Sequence, residues 1–312
     1  MARHSPMLYY DVAADTLTRY RRFMWDFAYR ATGTIADADT VLRECYPRPI
    51  HPPVAKSDAE RFLTSGAARV ALETVRQRKR RQYVGCWLPA PVETGNAASP
   101  GPRADSTVSP RYDLVESGSM AFLLALESLE ARERILLTLC DALGFGVQDA
   151  AAALELTAAT ARTVLQSARR KMQQYDAAHV PATTDIQTSV AAVLHEFLSH
   201  LQGYNLPALE KTLASDARAL FDSAGEFVAP AGSVFGCETV ARLLARFTER
   251  SGPVNFSFRM VNGLPGALGH AKPRARWASR FVLAIEVSDG LVARVHAVLA
   301  TAKLTAIRFD LV

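Results

Sequence analysis

The stretch GVQDAAAALELTAATARTVLQSARRKMQQY, residues 146–175, decides the fold of the middle of the chain. Residues 147–154 are predicted to form a short helix, and Leu156-Thr157 a tight turn in which the Thr157 hydroxyl caps the next helix. The second helix is predicted over residues 158–174, and alanines at the facing positions allow the two helices to cross closely. The pattern indicates either a helix-turn-helix that enters the major groove of DNA or an ordinary helical hairpin with a solvated basic face.

The open side of the second helix carries residue types that contact nucleic acid. Base edges are recognised by hydrogen-bonding side chains, whereas phosphates are held by cations. The candidates for DNA contact on this helix are Thr160, Arg162, Thr163, Gln166, Arg169, Arg170 and Lys171.

The composition is that of a globular protein with two or three domains. The 312 residues are 49% hydrophobic and 21% charged, and the net charge of +5 is compatible with a polyanionic partner without being diagnostic of one. No apolar run approaches the ~20 residues that span a membrane, and the N-terminus lacks the apolar core of a secretory signal. We therefore expect a cytoplasmic protein without a membrane partner. The widely separated Cys45, Cys86, Cys140 and Cys237 indicate reduced thiols rather than a metal site.

The N-terminal part has the periodicity of three helices. The first two are predicted over residues 15–32 and 36–45, with Gly33 ending the first and Thr34 capping the second. The third begins near Ser57 and ends in a basic run. This run is either a solvated helix end favoured by the helix dipole or a contact for phosphate or acidic protein. Its cations are Arg76, Arg78, Lys79, Arg80 and Arg81.

Residues 83–112 are rich in Pro, Gly, Ser and Ala and are predicted to form a linker. Its opening, YVGCWLPAP, is too apolar for a free linker, so we expect Trp87 and Leu88 to dock on a surface. A second helical block follows, with helices predicted near residues 114–126 and over 129–143, and the helix-turn-helix closes it.

The C-terminal part, residues 185–312, has a different pattern. After two short helices, strand-like segments are predicted over residues 217–221, 227–230, 254–262, 277–287 and 291–299, with a helix over 237–249 among them. Ser288-Asp289-Gly290 is typical of a hairpin turn between the last two strands. This order predicts an α+β domain with helices packed on one curved antiparallel sheet.

Three motifs in these segments occur together in one protein family. They are Phe27-Ala28-Tyr29-Arg30 followed by Gly33 and Ala36-Asp37-Ala38-Asp39, the linker sequence YVGCWLPAP, and the Arg-x-x-x-x-Leu helix of residues 132–137 with the helix-turn-helix. With these motifs the chain resembles an extracytoplasmic-function (ECF) sigma factor of the sigma-70 family. Its tail, with Val261-Asn262-Gly263 and Phe221-Asp222-Ser223-Ala224-Gly225, resembles the SnoaL-like cone-shaped α+β fold.

The resemblance implies a multidomain protein with two all-α sigma domains, the second with the helix-turn-helix, followed by an α+β SnoaL-like cone. Sigma domain 2 would cover residues 8–82, the linker with its WLPAP motif 83–112, sigma domain 4 residues 113–176, and a SnoaL-like regulatory domain 185–312. Domain 2 would bind the RNA polymerase core, with its β′ and β subunits, and the −10 element of promoter DNA. Domain 4 would bind the −35 element.

The resemblance also assigns roles to residues. Core polymerase contacts are expected from Asp37, Asp39, Leu42 and Arg43, and linker docking from Trp87, Leu88 and Pro89. The basic run that ends the third helix would lie against the promoter. On the helix-turn-helix, base-edge contacts are expected from Arg162, Thr163 and Gln166, and phosphate contacts from Arg169, Arg170 and Lys171.

The tail has two interpretations. It could regulate the sigma domains, with a small molecule as a ligand of the cone, or it could be an isomerase-type enzyme tethered to a DNA-binding module. The enzyme interpretation needs inward-facing acid–base groups, for which the candidates are Asp222, Arg259 and His296. Arg259 is the weakest candidate, because it alternates with Phe256 and Phe258 and faces away if they face the core. We expect no enzymatic activity, cofactor or metal.

Some positions depart from the family pattern. The acidic pair and glutamine of the domain 2 helix stand here as Asp39, Thr40 and Arg43, and Val164 and Ser167 stand where arginines are usual. These departures leave an alternative open, in which the protein is a sigma-like interaction protein that does not open promoters.

Overall fold

The computed structural model describes residues 21–45, 56–80, 83–94, 110–113, 115–178 and 182–309, with the backbone alone for 56–63 and 79–80. The chain divides into two compact units. The first unit comprises Met1–Arg81, Ser99–Ser117 and Ala125–His179, and the second Gln82–Ala98, Gly118–Leu124 and Val180–Val312. The units therefore do not follow the linear order of the chain, since the start of the linker groups with the C-terminal part.

The first unit is helical in the residues that the structure describes. Gly33, at φ 76°, ends the first helix, and the Thr34 hydroxyl accepts the Asp37 N–H at 3.1 Å, so both predicted boundary roles are confirmed. The helices are α1 (residues 21–32), α2 (Ile35–Cys45), α3 (Lys56–Arg80), α4 (Met120–Ala125, most of which groups with the second unit), α5 (Ala131–Leu137), α6 (Val147–Ala153), α7 (Ala158–Lys171) and α8 (Gln173–Ala178).

The predicted helix-turn-helix is present as α6 and α7. The Thr157 hydroxyl accepts the Thr160 N–H at 3.1 Å, as expected of an N-cap. Ala150 of α6 and Ala161 and Leu165 of α7 are buried, and their small or compact side chains permit the close crossing of the two helices. The helix predicted over residues 129–143 is α-helical only over α5 and continues as a π-helix over Thr138–Ala142.

The second unit is an α+β domain built on one six-stranded sheet in the order β2-β1-β6-β5-β4-β3. The prediction of an antiparallel sheet is wrong for one pair, because β1 and β6 run parallel, with Ala219 opposite Val295. Strand alternation identifies the faces of a strand but not its partner, and these two strands lie far apart in the chain. The elements are α9 (Thr184–Gln202), α10 (Leu206–Thr212), β1 (Leu213–Asp222), β2 (Val234–Phe235), α11 (Cys237–Ser251), β3 (Val254–Val261), β4 (Leu264–Ala271), β5 (Arg280–Ser288) and β6 (Leu291–Val298).

Strand β4 was not predicted, because its sequence LPGALGHA contains a proline and two glycines, which are typical of turns. The structure gives a reason for one glycine. A Cβ atom at Gly269 would lie 2.2 Å from the ring of Phe281 on β5, so the glycine lets this ring lie across the strand. Conversely, residues 227–230 form no strand. The predicted hairpin turn is confirmed, with Asp289 and Gly290 at φ 52° and 76°.

The sheet has two apolar faces. We call one of them the inner face. It packs against α9, α10 and α11 through residues such as Ala219, Leu283 and Ala297. The face called outer carries the alternate residues of the same strands, among them Leu220, Val282 and Val298. It is covered by chain from outside the sheet, namely Leu88, Met120, Leu304 and Ile307.

Candidate nucleic-acid interface and linker-docking site

Helix α7 presents the predicted base-contacting residues on its exposed side. Arg162, Thr163 and Gln166 are all exposed, and the Thr163 hydroxyl bonds back to the Ala159 carbonyl at 3.2 Å. A groove of about 650 Å³ runs along this side, lined by Arg111, Thr163, Gln166, Ser167, Arg169, Arg170 and Gln173. The arrangement offers side-chain donors at the positions where a recognition helix contacts bases and phosphates.

Two of the predicted phosphate-binding cations on α7 are paired with carboxylates. Arg169 donates to both oxygens of the buried Asp141, at 2.9 and 2.6 Å, and this hydrogen bonding raises the Arg169 pKa. Lys171 donates to Glu133 at 2.7 Å. Arg170 is exposed, whereas Arg169 and Lys171 keep 45% and 39% of their side-chain surface exposed despite the pairing. Charge on this helix is therefore partly neutralised from within the first unit.

Glu133 connects α5 to α7. Its carboxylate accepts from the Ser167 hydroxyl and from Lys171, each at 2.7 Å, and from the Glu130 N–H at 2.8 Å. Burial raises the pKa of this carboxyl, but the three hydrogen bonds outweigh burial, so the Glu133 pKa lies below its ordinary value. Sequence reasoning missed Glu133 and Asp141, since nothing in their spacing indicates that they contact a helix about 30 residues further on.

Arg78, predicted to contact DNA, is engaged inside the first unit. Its guanidinium donates to the Thr32 carbonyl and, at 2.6 Å, to Glu127, and only 16% of its side chain is exposed. Glu127 also accepts from Arg134, which is fully buried, and burial lowers the pKa of Arg134 to about 10. Arg78 is therefore held within the first unit, which does not support its predicted contact with DNA. Arg76 is half-buried, whereas the side chains of Lys79 and Arg80, and all of Arg81, lie outside the described residues.

The predicted polymerase-contacting residues on α2 divide into two groups. Leu42 is buried in the helical core, which does not support its predicted contact with the polymerase. Asp39 and Arg43 are exposed; Asp39 accepts from Trp25 Nε1 at 2.9 Å, and Arg43 donates to the Thr40 hydroxyl at 3.0 Å. Asp37 is half-buried, with Arg78 at 4.0 Å.

In the second unit, the start of the linker is bound to Asp222 at the end of β1. This carboxylate is fully buried and accepts from the Tyr83 hydroxyl at 2.6 Å and from the Leu88 N–H at 2.7 Å. The Ala224 N–H also donates to it, at 3.2 Å, and Lys303 forms an ion pair with it at 2.6 Å. A buried carboxylate is costly without such partners, so these contacts together make its burial tolerable.

Lys303 sits in a cage made by the linker. Its ammonium donates to the Leu88 carbonyl at 2.6 Å and lies over the rings of Tyr83 and Trp87, at 4.7 and 4.5 Å from their centroids. Cation–π contacts of this kind are strongest when the cation is desolvated, as it is here. Leu88 is fully buried and Pro89 is buried, whereas Trp87 is half-buried. All three predicted docking residues therefore lie on this surface.

The other end of the described linker is bound by Asn262 in the turn between β3 and β4. Asn262 exchanges hydrogen bonds with the Val92 backbone, at 2.9 and 3.1 Å, and donates from its amide to the Gly118 carbonyl at 2.8 Å. The Gly263 N–H donates to the Thr94 hydroxyl at 3.0 Å, and Glu93 bridges to Val261. The two tail motifs noted in the sequence thus receive the two ends of one linker segment.

The candidate acid–base residues of the tail do not line the internal cavity. The cavity is about 50 Å³ and lies on the inner face, where it is lined by apolar and aromatic side chains with Thr248 and Ser251. Asp222, Arg259 and His296 alternate with the inward-facing Phe221, Phe258 and Ala297, so they belong to the outer face. Strand parity therefore places the three residues on the side of the sheet opposite this cavity.

His296 is buried on the outer face, with its Nε2 3.7 Å from Glu286 Oε1. Burial lowers the pKa of its imidazole, so the neutral form is favoured. In the part of the chain that the structure describes, no three His, Cys, Asp or Glu side chains form a potential metal site, and no helix is long and apolar enough to span a membrane.

Comparison with known proteins gives the relatives of this chain. Residues 119–172 match the family model described as Sigma-70, region 4, which covers α4 to α7. The chain is homologous to ECF RNA polymerase sigma factors, and its two-part fold, helical and then α+β with a mixed sheet, is the predicted fold class.

Two relatives come from Mycobacterium tuberculosis. The chain is 27% identical to the ECF RNA polymerase sigma factor SigJ, over 87% of this chain and 86% of SigJ. It is 25% identical to the probable ECF RNA polymerase sigma factor SigI, over 98% of this chain and 99% of SigI. The crystal structure of SigJ superposes with a TM-score of 0.72 at 24% identity, covering 96% of this chain and all of SigJ, which supports the same fold for the whole chain.

Proposed function

We propose that this protein is an ECF-type sigma factor that binds the RNA polymerase core and directs transcription from specific promoters. The observation that carries the proposal is the region 4 helix-turn-helix, with Arg162, Thr163 and Gln166 exposed along α7 and Arg170 exposed beyond them. These residues would contact the −35 element, the first three at base edges and Arg170 at phosphate. Homology to SigJ and SigI over nearly the whole chain supports the same role.

The first unit also supplies surfaces for the polymerase core and the −10 element. Asp39 and Arg43 are exposed on α2 and are our candidates for contacts with the β′ subunit. The pairing of Arg169 with Asp141 and of Lys171 with Glu133 orients these cations on α7. Each pair therefore presents less charge to phosphate than an unpaired cation would. A factor that acts on promoters works in the cytoplasm, where we place this protein.

The second unit is proposed to regulate the first through the linker. Residues 83–94 are held by Asp222, Lys303 and Asn262, all of which belong to the second unit. Release of this segment would change the length of free chain between the parts that bind promoter DNA. Regulation of this kind requires no enzymatic step.

We further propose that the second unit is not an enzyme. The inner cavity of about 50 Å³ is far smaller than the 300–1,000 Å³ typical of ligand pockets. The candidate acid–base groups lie on the outer face, where Asp222 is occupied by the linker and Lys303. A small-molecule ligand of the cone would have to enlarge this cavity, so a ligand is the least supported of the expected partners.

The test is transcription in vitro with core polymerase of the source organism on fragmented genomic DNA. The full chain should give transcripts from defined start sites, and Arg162→Ala should reduce them roughly tenfold or more, since one base contact is worth about 1–3 kcal/mol. A control is Lys211→Ala, an exposed cation on α10 of the second unit, which should have no effect. Core binding without any transcript would overturn the proposal and favour the sigma-like interaction protein.

A further inference from the structure

One stretch of the second unit carries a large positive charge. From Arg242 to Arg276 there are seven Arg or Lys residues and one carboxylate, Glu249, a net charge of +6, whereas the whole chain carries +5. The rest of the chain is thus close to neutral, with a net charge of −1. A second basic stretch is the run that ends α3, with five cations within residues 76–81.

Two contacts bring the cations of this stretch together. Arg274, in the β4–β5 loop, donates to the Arg250 carbonyl at 3.0 Å, at the last turn of α11. Trp277 of the same loop packs edge-on against Phe247 of α11, with ring centroids 5.4 Å apart. The loop is therefore held against the helix, and it presents Arg274 beside the end of α11. We call the exposed set Arg246, Arg250, Lys272, Arg274 and Arg276 the arginine face.

The arginine face has no local neutralisation. Among the described residues, none of its five cations forms an ion pair. By contrast, Arg242 one turn earlier pairs with Glu238, and Arg294 on the outer face pairs with Glu286 at 2.5 Å. Arg246 and Arg250 lie four residues apart, a spacing at which like charges destabilise a helix. The helix dipole favours a cation only in the last turn, which accounts for Arg250 but not for Arg246.

The composition of the face favours a nucleic acid over a protein partner. Protein interfaces have an apolar core, whereas phosphate contacts need only cations. The arginine face has little apolar surface beside it. Among the exposed large apolar residues that the structure describes, only Val228 is hydrogen-bonded to this region, from its N–H to the Arg276 carbonyl. Guanidinium groups also match phosphate oxygens with paired donors. Double-stranded DNA offers one negative charge per ~1.7 Å of its axis, a density that a row of arginines can use.

We propose that the arginine face binds the phosphate backbone of double-stranded DNA without sequence preference, as a second DNA contact of this chain. The inference rests on the proposed function only for the presence of promoter DNA beside the protein. The second unit would then add affinity, and the helix-turn-helix would supply specificity.

The experiment uses the full chain and a fluorescein-labelled 24-bp duplex of scrambled sequence. Anisotropy gives the affinity at several salt concentrations between 50 and 200 mM. The test variant is Arg250→Gln/Arg274→Gln. The matched control is Arg218→Gln/Arg294→Gln, which removes the same charge from the opposite face of the sheet. If two phosphate contacts are lost, the slope of log K against log [salt] becomes shallower by about 1.8, and binding weakens on the order of tenfold or more at 0.1 M salt.

The control variant should keep the slope of the wild-type chain. Equal changes in both variants would mean bulk charge alone and would overturn the inference, as would absence of binding by the wild type at 50 mM salt. An unchanged slope in the test variant with loss of core polymerase binding would instead assign the face to an acidic protein surface.

A second variant, Arg246→Gln/Arg276→Gln, leaves the Arg274 contact to α11 intact and should reproduce the effect. Failure of the wild type to transcribe, with the slope difference retained, would overturn the proposed function but not this inference.

Discussion

The inner and outer faces of the C-terminal sheet are both apolar, but they are covered in different ways. The inner face is covered by α9, α10 and α11, which adjoin the strands in sequence and contribute aliphatic and aromatic side chains such as Leu194 and Phe197. The outer face is covered by Leu88 of the linker, well over a hundred residues before β1, and by the segment after β6 that contains Leu304. The outer cover is also fastened by a buried ion pair, Asp222 with Lys303.

The difference indicates which cover can detach. If α9, α10 and α11 detached from the inner face, the domain would unfold, because these helices pack on the same core as the sheet. The linker buries residues 88–91 and is hydrogen-bonded at both of its described ends, but it is not one of the six strands of the sheet, so we expect that it can detach while the sheet stays folded. Local openings of this kind are drawn from the least stable contacts of a protein. We therefore propose the outer face as the place for regulation, and variants of the two faces test this proposal.

The largest effect is expected from Asp222→Asn. This change leaves the buried Lys303 ammonium without its counter-ion, and breaking one partner of a buried pair costs about 3–5 kcal/mol. Denaturant unfolding followed by tryptophan fluorescence, with Trp25 and Trp277 replaced by Phe so that Trp87 alone reports, should show an early linker transition. The double variant Asp222→Asn/Lys303→Met should be less destabilised than the sum of the two single variants. Additive losses would mean that the two groups do not act as a pair.

Leu88→Ala should destabilise by about 2–5 kcal/mol, since Leu88 is fully buried. The matched inner-face variant is Leu194→Ala, a leucine that is equally buried on α9. Limited proteolysis separates the two, because Leu88→Ala should expose residues 83–94 to cleavage whereas Leu194→Ala should weaken the whole domain. Equal cleavage patterns in both variants would remove the distinction between the faces.

Trp87→Leu should have a smaller effect, about 0.5–2 kcal/mol, which is the range of one cation–π contact. The buried Leu88 side chain and the Asp222 contacts remain in this variant. The linker should therefore stay docked, but its backbone amides should exchange hydrogen faster. Backbone hydrogen exchange of the Leu88 amide, which donates to Asp222, reports this directly. Protection equal to wild type would show that the ring contributes nothing to docking.

The smallest effect concerns acidity at the outer face. The pKa of buried His296 is lowered in the folded state, so the unfolded state, with a pKa near 6.5, binds its proton first as the pH falls. Above about pH 6.5, His296 therefore leaves the free energy of unfolding unchanged. Below that pH it lowers the free energy of unfolding, by at most about 1.4 kcal/mol per pH unit. Unfolding midpoints at pH 7.5 and 5.5 should differ less in His296→Gln than in wild type. An identical difference in both proteins would assign the pH dependence to other groups.

The helix-turn-helix, its Thr157 cap, the Gly33 helix end and the Asp289-Gly290 turn were all readable from the sequence. Each depends on residues within a few positions of one another, where backbone conformation and capping chemistry decide the outcome. The linker motif was also readable, because Trp87 and Leu88 are too apolar for a free segment. The surface on which they dock was not.

Local patterns by themselves determined most helices, the location of the helix-turn-helix and several of the turns. The tertiary structure alone decided which strands pair, as in the parallel contact of β1 with β6, and which face each side chain occupies. The sequence indicated Asp222 as a candidate inward-facing acid. In the structure, strand parity places it on the outer face under the linker, where it pairs with Lys303, 81 residues further on. Carboxylates such as Glu133 and Asp141 likewise gained their roles from helices packed against them. Burial and pairing are properties of contacts that are distant in sequence, and no local pattern encodes them.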